Sequence, residues 1–259
     1  MDVATCQEEL TSDWLAHVLG CEPTDITNLE IESEEADAGF VSLICFITLE
    51  SNGAANVPGK LVAKFAPTFE SAKEVVQKYG TFQRECDFYS KVAPHLPIRC
   101  PELNFGHHDQ NTGLGVLLLE DCSSYRTLSQ TDEQPTTLEE LKHLVKTAAR
   151  MHAASWEAPW LDEIDTIMAP GLDCWSAYFK DIQDGWPAFL ADSSSELVPG
   201  VRPVAERLVD SMLPLTHEAM PRNKCCLTHL DFRLDNIFYD DASDDPAILF
   251  DWQSMYKGR

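Results

Sequence analysis

The segment "HLDFRLDNIFYDD", from His229 to Asp241, constrains the fold of this chain more than any other stretch. It places Asp231 and Asn236 in the spacing D-x-x-x-x-N, directly before the strand-like run "IFY". The turn-like residues "DDASDDP" follow, and then a second strand-like run, "AILFDW", which contains Asp251 near its end. The segment therefore predicts a β-hairpin with Asp231 and Asn236 before it and Asp251 at its exit.

These three residues have the types that phosphoryl transfer requires. A loop Asp orients a hydroxyl and accepts its proton, an Asn binds a metal ion, and a second Asp holds Mg2+ against the phosphates of ATP. The alternative is that Asp231 and Asn236 only turn the loop and that His229 is a buried structural histidine, because Asp and Asn are common in turns. All of them together, with this spacing and a hairpin, favour the catalytic interpretation.

The segments "HLDFRLDNIFYD" and "AILFDWQ" resemble the catalytic segment of the aminoglycoside phosphotransferase and choline kinase superfamily, which has a protein-kinase-like fold. The opening "LTSDWLAHVLG" and the strand "KLVAKF" resemble most closely its ecdysteroid-kinase-like branch. The resemblance implies that Asp231 is the catalytic base and that Asn236 and Asp251 bind Mg2+. It also implies an ATP-dependent reaction on the hydroxyl of a small molecule.

Two further positions in this segment follow from the resemblance. Leu230 stands where the superfamily usually has glycine, since the chain reads His-Leu-Asp instead of His-Gly-Asp. Arg233 follows the expected base by two residues, and two roles for it stay open. It either reaches the γ-phosphate, as a lysine at this place does in protein kinases, or it is a surface residue paired with Asp235.

A second candidate constellation lies in the N-terminal part. Lys64 lies in the alternating strand "KLVAKF", and Glu85 lies on a predicted helix from Thr81 to Ala93, on the same face as apolar neighbours. A carboxylate on such a face needs a cation, because an unpaired buried charge is expensive. A pair between Glu85 and Lys64 would aim the ammonium at the ATP phosphates, as in kinases. The alternative is a solvated Glu85 beside Arg84, with Lys64 at the strand end.

The other expected nucleotide contacts have weaker support. The chain has no G-x-G-x-x-G, and the loop between the first two strands offers Gly39, which is equally a hairpin turn, and Ser42. A Walker A loop is excluded, because Leu61 stands where Ser or Thr is required. The run "LLLED" resembles the connection between kinase lobes, so Glu120 and Asp121 are candidate contacts to the adenine.

The expected fold class is α+β, a two-lobed protein-kinase-like fold. Residues 1–119 form a nucleotide-binding lobe with an antiparallel sheet and one main helix, and residues 120–259 form a mostly helical catalytic lobe. Because the superfamily continues with further helices beyond the magnesium-binding Asp251, we expect this chain to be truncated at its C-terminus and part of its acceptor pocket to be absent. A long helix begins with the capping box of Thr137 and Glu140. Its expected apolar face comprises Leu138, Leu141, Val145, Ala148 and His152.

Composition limits the partners. The 43 acidic and 19 basic residues give a formal charge of -24, which disfavours nucleic acid and anionic membranes, since both bind cationic surfaces. The N-terminal residues lack the basic region and apolar core of a targeting peptide, and the nine cysteines include no C-x-x-C pair. These features predict a cytoplasmic protein with reduced thiols.

The sequence thus predicts an ATP-dependent phosphotransferase that acts on a hydroxylated small molecule. A protein kinase is disfavoured, because Asp251 is followed by Trp and Gln instead of Phe and Gly. The alternative from a different class is a non-catalytic nucleotide-binding module, a pseudokinase. The presence of Asp231, Asn236 and Asp251 argues against it.

Overall fold

The computed structural model describes residues 3–33, 42–53, 56–67, 69–128, 136–168, 173–193, 198, 200–219 and 224–258. An antiparallel sheet occupies the N-terminal part, and helices with short strand pairs form the C-terminal part. In chain order the elements are α1 (Ser12–Leu19), β1 (Ile26–Ser33), β2 (Leu43–Ser51), β3 (Lys60–Phe65), α2 (Glu70–Tyr79), α3 (Thr81–Asp87), β4 (Leu103–His108), β5 (Gly115–Glu120), β6 (Arg126–Thr127), α4 (Leu138–Ser155), α5 (Asp173–Ser193), α6 (Val201–Ala219), β7 (Cys226–Thr228), β8 (Ile237–Tyr239), β9 (Ala247–Leu249) and β10 (Tyr256–Gly258).

The N-terminal sheet has the strand order β1-β2-β3-β5-β4, and all neighbouring strands are antiparallel. Helix α1 packs on one face of it. Thr11 caps this helix by accepting a hydrogen bond from Trp14 N at 3.2 Å, and Gly20 ends it in a left-handed conformation, with φ 73°. Gly20 is suited to this end, since Gly adopts positive φ without a steric penalty.

Strand β5 is buried on both faces, which explains its continuous apolar run. Val116 and Leu118 belong to the core between the sheet and α1. Leu117 and Leu119 belong to a second core on the other side, which also contains residues of α4 and of the hairpin formed by β8 and β9. Strand β5 therefore packs against both the N-terminal and the C-terminal parts.

The helix that carries Glu85 is interrupted. The sequence predicts one helix from Thr81 to Ala93, whereas the structure has α3 followed by a π-helical turn, Phe88–Val92. The ring of Phe88 stacks on that of Trp252, with ring centroids 3.8 Å apart. Because Trp252 directly follows Asp251, this stack fixes α3 against the loop at the exit of the hairpin. Helix α2, which precedes α3, adds to the one main helix expected from the sequence.

The predicted hairpin is present as β8 and β9. The two strands are antiparallel, with Ile237 opposite Leu249, and β6 pairs with the outer side of β8. Strand β7, which leads into the Asp231 loop, pairs instead with β10. The hairpin is thus a separate small sheet against the second core.

The prediction of the buried face of α4 is wrong. Leu138, Leu141 and Val145 are exposed, and Ala148 and His152 are only partly buried. The helix buries a neighbouring face that consists of Leu144, Thr147, Met151 and Ser155. The Ser155 hydroxyl donates to the carbonyl of Met151 at 2.7 Å and accepts from Leu227 N at 2.9 Å. The hydrogen bond between Ser155 and β7 therefore favours burial of this partly polar face of α4. Apolar periodicity in the sequence does not reveal that face.

No helix within the described ranges combines the length and the apolar character needed to cross a lipid bilayer.

Candidate active site

A cavity of about 600 Å³ lies between the N-terminal sheet and the hairpin. Both parts contribute apolar side chains to its wall, among them Ile44, Phe46, Val62, Leu119, Phe238 and Phe250. Lys64, Glu85 and Asp251 also line it. A concave, mostly apolar volume of this size with a few charged groups is typical of sites for small ligands and cofactors.

Lys64 joins two carboxylates at the wall of this cavity. Its Nζ lies 2.9 Å from Glu85 Oε1 and 3.0 Å from Asp251 Oδ1. Strand β3 alternates, so its residues Leu61 and Phe65 face the core while Lys64 faces the cavity. Glu85 is only 1% exposed, and the pair predicted from the sequence is therefore formed across the sheet and α3.

The charge of Lys64 is maintained by these neighbours. Burial by itself would lower the pKa of its ammonium, because burial disfavours the charged form. Glu85 and then Asp251 outweigh burial and raise the pKa above its ordinary value. Lys64 is consequently a fixed cation at neutral pH.

Asp251 is held by the turn that it begins. It has φ 63°, a left-handed conformation that Asp tolerates better than most residues, and it precedes the 3-10 turn Trp252–Ser254. Gln253 Nε2 donates to Asp251 Oδ2 at 3.2 Å, so both oxygens of the carboxylate have donors. The buried indole of Trp252 donates to the carbonyl of Leu249 at 3.1 Å and anchors the turn to β9.

Asp231 and Asn236 form a closed loop. Asn236 Nδ2 donates to the backbone carbonyl of Asp231 at 3.0 Å and to its Oδ2 at 2.9 Å. The backbone carbonyl of Asn236 accepts from Phe250 N at 3.2 Å, which ties this loop to the residue before Asp251. Asn236 is buried, whereas Asp231 is only partly buried.

The buried side chain of His229 supports the loop that contains Asp231 and Asn236. Its Nε2 donates to the carbonyl of Phe250 at 2.8 Å, and its ring lies 4.3 Å from that of Trp252. Burial lowers the pKa of His229, so the ring is neutral and structural. Leu230, next in the chain, has φ 66° and is half exposed. The loop therefore keeps the backbone conformation that suits glycine although the residue is leucine.

The residues present fit an oxygen-binding cation. Because the Asn236 amide nitrogen donates to Asp231, its Oδ1 is the side-chain atom that could bind a cation, and Asp251 has a carboxylate that could do so as well. Mg2+ is commonly bound by one or two carboxylates together with substrate phosphates. The described part of the chain contains no cluster of three or more His, Cys, Asp or Glu that would form a closed metal site. The donor set thus suits an ion that is shared with a nucleotide.

Of the remaining residues expected at the site, two line the cavity, one lies at the surface and one lies outside the described residues. Ser42 lines the cavity, whereas Gly39 lies outside the described residues. Glu120 also lines the cavity, but Arg99 binds its carboxylate with two hydrogen bonds, of 2.5 and 2.7 Å. Arg233 is half exposed at the surface.

The contacts of Arg233 match the surface role more closely. Its Nη1 lies 3.7 Å from Asp235, and its Nε lies 3.8 Å from Asp231. Both separations are longer than hydrogen bonds.

Three residues of the site region were not found from the sequence. They are Arg84, Arg99 and Gln253. The sequence indicates Arg84 only as a neighbour of a solvated Glu85, but it is 4% exposed. Gln253 follows Asp251 by two residues, and its place in "FDWQ" was the one available signal. Arg84 donates to backbone carbonyls, which carry no sequence signal. Arg99 donates to the carbonyl of Cys100 and to the carboxylate of Glu120.

An antiparallel N-terminal sheet, a strand lysine paired with a helix glutamate, and a hairpin between two acidic residues together define a protein-kinase-like phosphotransferase fold. Comparison with protein families agrees, because the ecdysteroid kinase-like family matches residues 37–258. The chain belongs to that family. Comparison with curated protein sequences gives no significant match.

Solved structures show the same fold at low identity. A protein from Ralstonia eutropha JMP134 that is assigned as an aminoglycoside phosphotransferase has a TM-score of 0.51 and 14% identity, over 96% of this chain and 65% of that chain. The aminoglycoside phosphotransferase APH(2'')-IIIa, in complex with GDP and kanamycin, has a TM-score of 0.53 and 14% identity, over 89% of this chain and 68% of that chain. The chain thus spans about two thirds of the length of these structures.

Proposed function

We propose that this chain transfers the γ-phosphoryl group of ATP, with Mg2+, to a hydroxyl of a small molecule. One observation carries the proposal. Lys64 lies within 3.0 Å of both Glu85 and Asp251 at the wall of a cavity of about 600 Å³. Kinase-like phosphoryl transfer needs this combination of a fixed cation for the phosphates and a carboxylate for the metal.

The nucleotide end of the site is arranged around Lys64. Lys64 binds the α- and β-phosphates, and Glu85 holds its ammonium in place. Asp251 and the side-chain oxygen of Asn236 would hold Mg2+, which when bound neutralises charge on the phosphates. Ser42 and Gly39 are expected to cover the phosphates from the loop before β2. For Glu120 we propose that its backbone, not its carboxylate, faces the base, because Arg99 already binds the carboxylate.

The acceptor end uses Asp231. The Asn236 amide fixes one oxygen of its carboxylate, so the other can orient an incoming hydroxyl and accept its proton. Arg233 stands beside Asp231 and could contribute a positive charge near the transferred group. This arrangement needs no covalent intermediate on the protein, since positioning and electrostatics supply the catalysis.

Similarity to APH(2'')-IIIa supports a nucleotide and a hydroxylated small molecule as substrates, because its structure holds GDP and kanamycin. The donor should therefore be tested as both ATP and GTP. The acceptor should be searched among hydroxylated small molecules of different classes.

The test measures binding and transfer side by side. Calorimetric titration with ADP and GDP, with and without MgCl2, should show binding strengthened by the metal. Transfer of labelled γ-phosphate to the acceptor panel should be about 10²- to 10⁴-fold slower in Asp231→Asn, the usual scale of a lost general base, while ADP affinity stays unchanged. Equal turnover in Asp231→Asn and wild type would remove the catalytic role of Asp231. Magnesium-dependent binding without transfer to any acceptor would favour the pseudokinase.

A further inference from the structure

Two adjacent residues of α3, Arg84 and Glu85, both influence the turn that begins at Asp251. Glu85 binds Lys64, whose Nζ lies 3.0 Å from Asp251 Oδ1. Arg84, the preceding residue, is buried, and its Nη1 donates to the backbone carbonyl of Gln253 at 2.6 Å. Both residues thus act on the turn that begins at Asp251, although neither touches Asp251 itself in the contacts described above.

Gln253 completes the second route. Its side-chain Nε2 donates to Asp251 Oδ2 at 3.2 Å. The two oxygens of one carboxylate are therefore held by two different routes that start on α3, one through Lys64 and one through Gln253. A carboxylate held at both oxygens has a fixed orientation, which a metal ligand needs.

Arg84 is suited to hold the turn because its guanidinium is fixed at three points. Besides the bond to Gln253, its Nε donates to the carbonyl of Thr166 at 2.8 Å and its Nη2 to the carbonyl of Tyr79 at 2.6 Å. Two of the three acceptors, Thr166 and Gln253, lie on segments distant from α3 in the chain. A planar guanidinium presents several donors in fixed directions, whereas an ammonium does not.

We propose that Arg84 is a positioning residue that acts through Gln253 to orient Asp251 for binding of a magnesium–nucleotide complex. This inference rests on the proposed function, because it assumes that Asp251 binds the metal. It assigns a task in metal binding to a residue that touches neither metal nor nucleotide.

The experiment compares ADP affinity with and without MgCl2 in the wild type and in variants. The readout is the metal factor, defined as the factor by which MgCl2 strengthens ADP binding. Loss of an outer partner typically costs about 10- to 100-fold in metal affinity, so Arg84→Met should reduce this factor by at least about tenfold. ADP affinity without metal should stay close to the wild-type value. A merely structural role would change thermal stability but not this factor.

Gln253→Leu gives a second variant that does not depend on the buried arginine. It removes the donor to Asp251 Oδ2 but keeps the backbone carbonyl that Arg84 binds, and the side chain is only partly buried. It should reduce the metal factor by a similar amount. Because the two residues act along one route, Arg84→Met combined with Gln253→Leu should cost little more than either alone.

Thr166→Val is the matched control. The Thr166 hydroxyl donates to Asp87 on α3 at 2.6 Å, so this change loosens the same helix without touching the Asp251 turn. It should lower the melting temperature and leave the metal factor unchanged. An unchanged metal factor in folded Gln253→Leu, or an equal loss in Thr166→Val, would overturn the inference. A wild type whose ADP binding ignores MgCl2 would overturn the proposed function, and this inference with it.

Discussion

Lys64 Nζ and Asp251 Oδ1 lie 3.0 Å apart although 187 positions separate the two residues in the chain. One is on a strand of the N-terminal sheet and the other follows the C-terminal hairpin. Their contact therefore joins the two parts of the chain at the cavity. Because Glu85 binds the same ammonium, one cation holds two acidic groups that would otherwise repel each other.

The first prediction concerns this cation. Lys64→Met should destabilise the protein by about 3 kcal/mol, because it leaves the buried carboxylate of Glu85 without its cation. Changing both partners, Lys64→Met with Glu85→Leu, should recover most of that loss, since the fully buried charge of Glu85 is removed together with its cation. Asp251 also loses Lys64, but it is more exposed than Glu85 and keeps Gln253 as a donor. Neither variant should bind ADP with wild-type affinity. Urea denaturation and calorimetric titration measure the two effects separately, and a double variant less stable than Lys64→Met would contradict the argument.

The second prediction concerns the metal ligand. Asp251→Asn should remove most of the gain in ADP affinity that MgCl2 gives, by about a hundredfold or more, because a ligand charge is lost. Asn is the appropriate replacement at φ 63°, since it tolerates the left-handed conformation better than Ala does. Affinity measured in EDTA serves as the control and should fall much less. An undiminished effect of MgCl2 would exclude Asp251 as a ligand.

Much of this site was predictable because its residues obey local rules. The spacing of Asp231 and Asn236, the hairpin, and the alternation that directs Lys64 into the cavity are all visible in short windows of sequence. The pair with Glu85 followed from one long-range argument, that a carboxylate on an apolar helix face requires a cation. The need for a cation does not depend on how far apart the two segments lie in the chain.

The rest depends on contacts that short windows do not contain. The buried face of α4 is selected by a hydrogen bond from Leu227 N to Ser155, and β7 lies far from α4 in the chain. The buried Arg84 donates to the backbone carbonyls of Thr166 and Gln253, which lie 82 and 169 positions away in the chain. Every residue has a carbonyl, so nothing in the sequence identifies which ones a buried arginine will bind.

The third prediction concerns Leu230. At φ 66° a residue with a Cβ atom is strained by about 1 kcal/mol or more, and the half-exposed leucine side chain recovers little by burial. Leu230→Gly should therefore be more stable than Leu230→Ala by about 1 kcal/mol in urea denaturation, because only glycine relieves the strain. In an ordinary helical position the order is the opposite. A more stable alanine variant would show that the loop does not hold this conformation in solution.

The last prediction concerns His229 and pH. Burial lowers its pKa below the ordinary value near 6.5, and the Phe250 carbonyl, Asp251 and Asp231 only partly oppose this. Below about pH 6.5 the unfolded chain therefore binds a proton at His229 that the folded protein rejects, so the free energy of unfolding falls as pH decreases. Above that pH this contribution is complete. The slope from one such group is at most about 1.4 kcal/mol per pH unit.

Burial also lowers the pKa of His108 and His152, so the wild-type slope contains contributions from all three histidines. His229→Gln isolates one of them, because a glutamine amide can donate to the Phe250 carbonyl but does not titrate. Urea denaturation at pH 7.5 and pH 5.5 should show a smaller loss of stability in His229→Gln than in the wild type. Equal losses would mean that His229 takes up a proton as readily in the folded protein as in the unfolded chain, and its role as a neutral support of the Asp231 loop would then be wrong.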